Sequence, residues 1–147
     1  MTAVARGERL PYRHVLSLPV MGSAVRMVRE TAELVLVECG VGLAHPSVGP
    51  ALLVLSELAT NTVRHAAEAS QTFTVIFAHG PNTLAFAVHD HHPYQPAVYQ
   101  ALATAPGSGL ALVARTVMEL GGTVVVRADG EGYGNGPGKA VWITLPL

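Results

Sequence analysis

This sequence is poor in charge: only 13% of its 147 residues are Asp, Glu, Lys or Arg, nine basic against ten acidic, for a net charge of −1. That balance excludes a basic field for nucleic acid and a polybasic run for a membrane surface. Half the residues are hydrophobic, which excludes a disordered chain. The single cysteine, Cys39, excludes an internal disulfide framework. It lies in a helical pattern, where a small buried hydrophobe is the expected role. No apolar run approaches the ~20 residues of a membrane span, and the N-terminal MTAVARGERLPYR carries charges where a signal peptide needs an apolar run. The expectation is a soluble, cytoplasmic chain with no direct nucleic-acid and no membrane partner. Its length suits one domain able to bury a core, here a loose lead-in over residues 1–12 and a single domain over 13–147.

What the sequence does have is periodicity. In residues 52–67, LLVLSELATNTVRHAA, the polar Ser56, Glu57, Thr60, Asn61, Arg64 and His65 fall within one half of a helix at about 100° per residue. The rest of that surface is mostly Leu, Val and Ala. Such a helix fits a core element whose polar stripe faces a cavity or a partner; an amphipathic helix with a solvated face has the same pattern. Before it, residues 14–18 predict a short strand, and residues 24–39 a helix with Ser23 as N-cap. Ser47 is placed to cap the second helix, which is predicted to end near Glu68.

The period then changes to two. Residues 72–78 and 83–89 predict an antiparallel hairpin around a turn at 79–82, with Phe73, Val75 and Phe77 on one face and Leu84, Phe86 and Val88 on one face of its partner. Residues 90–106 hold three prolines and no clear period, and predict a long loop of a length that is usually functional or disordered. A third helix is expected over 110–120, then a second hairpin from 123–128 and 140–145 with a glycine-rich connection over 129–138. The order β-α-α-β-β-α-β-β predicts an α+β fold, a two-layer sandwich of one sheet with helices on one face. Hairpin connections exclude a fully parallel sheet.

Four groups carry candidate chemistry, each beside a plainer reading. Gly107, Ser108, Gly109 and Leu110 enter a helix, where backbone N–H groups and the positive dipole end can approach an anion; glycines also simply permit a turn. Glu57 and Asn61, four apart, offer two oxygens to a hard cation such as Mg²⁺ carrying phosphates. Alternatively Glu57 is a general base, or both are solvated. Asp90 ends a strand and can accept a hydrogen bond from an exocyclic amine such as adenine's, though surface aspartates are common there. The run His89-Asp90-His91-His92 invites a zinc reading, but strand neighbours point to opposite faces, so His89 and Asp90 should diverge. Gly138-Lys139 looks like the tail of a P-loop, but Tyr133 stands where a glycine is needed and a strand follows.

Together these pieces resemble a known family. LVLSELATNTVRHA is similar to the N-box of the histidine-kinase-like ATPase (GHKL or Bergerat) superfamily. The likeness is greatest to the branch holding bacterial anti-sigma-factor serine/threonine kinases and actinobacterial ATP-binding regulators. AVHD resembles the G1 box and GSGLALVARTVMELGG the G2 box with its helix; the likeness continues to GKAVWITLPL. It implies a Bergerat-type fold with a mixed, mainly antiparallel sheet, and ATP with Mg²⁺ as cofactors. Asn61 would be the Mg²⁺ ligand, Glu57 the catalytic base and Asp90 the acceptor for the adenine amine. Gly107, Ser108, Gly109 and Leu110 would meet the phosphates, with Arg64 and His65 beside them and residues 90–106 as the lid. The implied partner is a sigma factor or an anti-anti-sigma protein, in transcription regulation, and a homodimer is compatible with the resemblance.

Some positions depart from that family's pattern. His92 stands where D-x-G would end, Ser108 where Arg is frequent, and Ala140 where Thr is frequent. No Lys or Arg occurs between Arg64 and Arg115, although phosphoryl transfer gains much of its rate from cations on the transferring group. Two functions are therefore expected from the sequence. One is a kinase moving phosphate from Mg-ATP to a partner hydroxyl; the other is a non-catalytic or weakly nucleotide-binding interaction module of the same fold.

Overall fold

A computed structural model describes residues 10–66, 71–129 and 138–147. The predicted end of the second helix at Ala67 and Glu68, the first nine residues of the lead-in and most of the glycine-rich connection lie outside the described residues. Within them the strands are β1 (Tyr12–Pro19), β2 (Thr72–Gly80), β3 (Thr83–Asp90), β4 (Thr123–Ala128) and β5 (Lys139–Pro146). The helices are α1 (Ser23–Glu38), α2 (Val48–His65), α3 (Ala101–Thr104) and α4 (Gly109–Glu119). One sheet runs in the order β1-β2-β3-β5-β4, and every pairing is antiparallel. The fold is thus the α+β sandwich expected, without a parallel pair among the described strands.

Period-two alternation decides which side chains meet the helices. Phe77, Phe86, Ile143 and Val124 form one cross-strand row, and Val75, Val88, Val141 and Val126 the next. These rows pack with Val28, Val35, Leu55, Leu58, Val113 and Val117 of the helices in one core. Each fully buried Phe, Leu or Val side chain there contributes about 1.5–3 kcal/mol. Alternation also carries polar residues into this layer: Asp90 continues Leu84-Phe86-Val88, and Lys139 begins Lys139-Val141-Ile143-Leu145. The two are direct partners in the β3–β5 register.

The far face holds a smaller cluster of Ala78, Ala85, Ala87, Ala140 and Trp142, with the Arg13 guanidinium 6.0 Å from the centre of the Trp142 ring. Small alanines on neighbouring strands leave room for the indole, and Trp142 is fully buried.

Local chemistry departs from the sequence expectations at four points. Ser23 lies inside α1, whose N-cap is Gly22, and no side chain caps that end. Ser47 stands at the N-cap of α2 without a capping side-chain bond; its N–H donates instead to His45 Nδ1 at 3.1 Å. The stretch expected as loop contains the single turn α3, begun by backbone bonds of Ala101 N–H to the carbonyls of Ala97 and Val98. Cys39, expected buried, is half-buried at the C-cap of α1. Burial, and then the neighbouring Glu38 charge, hold its thiol pKa above the ordinary range.

Candidate functional site

The polar stripe of α2 faces the N-terminus of α4. Buried Leu55, Leu58, Ala59 and Thr62 turn into the core, which leaves Glu57, Thr60 and Asn61 half-buried and Arg64 and His65 exposed. Between the two helices lies a cavity of about 210 Å³ lined by Glu57, Thr60, Asn61, Arg64, His65, Ser108, Gly109 and Leu110. A second, of about 350 Å³, shares Asn61, His65 and Leu110 and adds His92 and Tyr94. The second alone falls within the size range of small-molecule sites, and the shared lining makes the two neighbours.

Ser108 starts α4. Its extended backbone (φ −81°, ψ 163°) sets it outside the helix, and its Oγ accepts from Ala111 N–H at 3.2 Å while donating to the Ala105 carbonyl at 2.7 Å. This is an N-cap of the ordinary kind. The following Gly109 allows a close approach: a Cβ at that position would collide with Glu57 Oε2. A carboxylate oxygen therefore already rests against the positive end of an eleven-residue helix, and that spot accepts an anionic oxygen. Glu57 and Asn61 present a carboxylate and a carboxamide to the same cavity, a donor set that suits Mg²⁺. The residues present fit both a phosphate group and its metal ion.

Asp90 is in a different condition. It is 1% exposed and lines neither cavity. Its Oδ2 accepts from Thr62 Oγ1 at 3.2 Å; its Oδ1 accepts from His92 N–H at 2.9 Å and from Lys139 Nζ at 2.5 Å. Lys139 is itself buried, at 7% exposure. Gly138 lets β5 begin this close to β3, because a Cβ there would strike the Asp90 carbonyl and stand 2.5 Å from Asp129 Oδ2.

The structure therefore brings Glu57, Asn61, Arg64, His65, Ser108, Gly109 and Leu110 to one cavity. Asp90 is only one bond away, through the His92 backbone, while Gly107 lines neither cavity. His89 diverges from Asp90, as alternation requires: its Nε2 lies 2.8 and 3.0 Å from the two carboxylate oxygens of Asp129, on the other side of the sheet. Ala140, which stands where Thr is frequent in the family, belongs to the far-face cluster with Trp142, and the β5 residue on the helix side is Lys139. Sequence reasoning also missed Thr62 and Lys139. The signals were present: a threonine in the apolar arc of α2, and a lysine two places before Val141.

The histidine kinase-like ATPase domain family matches residues 20–144. No curated protein matches the chain. Among solved structures, the catalytic domain of histidine kinase ThkA is similar at a TM-score of 0.56 and 13% identity, covering 90% of this chain and 97% of that one. The mycobacterial sensor histidine kinase MprB is 25% identical over 63% of this chain and 72% of its own, at a TM-score of 0.45.

Proposed function

This chain belongs to the histidine kinase-like ATPase domain family, and from that premise we propose that it binds Mg-ATP between α2 and α4 and transfers the terminal phosphoryl group to a hydroxyl of a partner protein. The observation that carries the reading is Glu57, Asn61 and the capped N-terminus of α4 on one cavity. The phosphates would lie against the N–H groups of Gly109 and Leu110. Asn61 would hold Mg²⁺, which supplies charge neutralisation to the phosphates when bound. Asp90 is the group that would read the base. Glu57 would take the proton of the acceptor hydroxyl as its oxygen bonds to the γ-phosphorus, while the bond from that phosphorus to the β–γ bridging oxygen breaks and ADP leaves. By resemblance to anti-sigma-factor kinases, the partner is a sigma factor or an anti-anti-sigma protein. Arg64, on the cavity wall, is the arginine placed to serve the transferring group.

A second reading has its own support. The buried Asp90–Lys139 pair leaves the base end of the site closed, which favours a binding module that holds nucleotide weakly and acts by contact. Titration of Mg-ATP into the wild type, Asn61→Ala and Asp90→Asn tests nucleotide binding, expected to weaken in both variants. A single turnover of γ-labelled ATP with and without Glu57→Ala separates transfer from binding alone. Label on protein from the wild type but not from Glu57→Ala supports the kinase. Binding without any label transfer supports the module.

A further inference from the structure

We propose that Lys139 relaxes the base selectivity of this site: by pairing with Asp90 it satisfies the buried acceptor that would otherwise demand an exocyclic amine. The inference rests on the nucleotide reading above and deepens it. A protein rejects a ligand that lacks one donor chiefly because the matching buried acceptor is then left unpaired. In this chain it is not left unpaired. A carboxylate offers about four lone-pair positions. Here His92 N–H and Lys139 Nζ fill two on Oδ1, and Thr62 Oγ1 takes one on Oδ2. One position remains on Oδ2 for an amine to take once the closed base end rearranges around a nucleotide, and the absence of that amine exposes no uncompensated charge.

Position and surroundings make Lys139 part of the site. It pairs with Asp90 across the β3–β5 register, on the helix side of the sheet, with its ammonium 2.5 Å from Oδ1. Gly138 holds the strand start against the Asp90 carbonyl, so the lysine stem has a short and defined reach. The ammonium keeps two further donors that an oxygen or ring nitrogen on a base can accept. The ligand class is accordingly a nucleoside triphosphate with loose demands on the group at the purine 6-position.

The test compares, within each protein, Kd for Mg-ATP with Kd for purine riboside triphosphate, which lacks only the amine. The wild type is expected to bind the two within about fivefold. In Lys139→Met the ratio should open to about tenfold or more in favour of ATP, the worth of a hydrogen bond to a buried carboxylate. Lys139→Gln, which keeps a neutral donor, should fall between, and it carries the test should the methionine variant fail to fold. A wild-type preference for ATP above about thirtyfold, or a ratio unchanged in both variants, would overturn the inference while leaving nucleotide binding intact. Failure of folded wild type to bind either triphosphate would overturn the nucleotide reading and this inference with it.

Discussion

The two ends of the candidate site are in opposite states. At the α4 end, Glu57 and Asn61 project into an open cavity and a glycine gives room for an oxygen against a helix N-terminus. At the β3 end, Asp90 is buried and already held by Thr62, His92 and Lys139. One end is poised to gain partners, and the other must rearrange or share what it has. The contrast means that side chains at the two ends should respond differently to substitution: function first at the open end, stability first at the closed one.

The largest effect expected is at the open end. Glu57→Ala should lower a single-turnover transfer rate about 10²- to 10⁴-fold, the usual share of a general base, with the thermal midpoint almost unmoved. A rate unchanged by this substitution would remove the distinction between the ends. At the closed end, Lys139→Met should cost about 3–5 kcal/mol in urea unfolding, because it strands a buried carboxylate. Replacing both partners, Asp90→Leu with Lys139→Met, should recover most of that loss. A purely additive pair would show that Asp90 and Lys139 are not coupled in the folded protein.

Glycine substitutions sharpen the comparison. Gly138→Ala drives a Cβ into the backbone carbonyl of Asp90, which cannot swing away, so a loss of about 1–3 kcal/mol is expected. Gly109→Ala meets only the far end of the Glu57 side chain. Stability should change by less than about 1 kcal/mol, with Glu57 displaced and transfer impaired. The smallest effect lies away from both ends. His79 stacks on Tyr12 and lies near His14, and burial, with the His14 charge second, lowers its pKa. In the window between its folded pKa and the ordinary histidine value the unfolded chain binds more protons. Stability contributed by neutral His79 should therefore be lost as pH falls through that window. His79→Gln should flatten this slope in thermal melts between pH 7.5 and 5.

The open end was legible in the sequence because its residues are local. Glu57 and Asn61 are four apart on one helix, and Ser108 and Gly109 are adjacent. Helical periodicity alone puts each pair on one face. The strands were legible for the same reason, down to the sharing of faces by Phe73, Val75 and Phe77. The closed end was half visible: Asp90 could be marked as a strand-end carboxylate, but its partner stands 49 residues further on. That pairing depends on the β3–β5 register, which no local pattern specifies. Thr62 was hidden by similar logic, since a threonine in an apolar arc acquires meaning only once a buried acceptor is known to lie beneath it. The cap at Ser23 failed because Gly22 already takes helical dihedrals (φ −58°, ψ −36°), which moves the helix start past the serine's useful position.

The Asp90–Lys139 contact also bears on how the last strand finds its place. The alternating patterns of β3 and β5 forbid any slip by one residue, since that would turn each apolar face to the wrong side. A slip by two preserves the alternation and is invisible to the hydrophobic pattern. It would, however, set Asp90 opposite another residue and leave two opposite charges buried apart, at several kcal/mol each. Odd misalignments are excluded by greasy side chains and even ones by this single pair of charges, so the zipper between β3 and β5 has one setting.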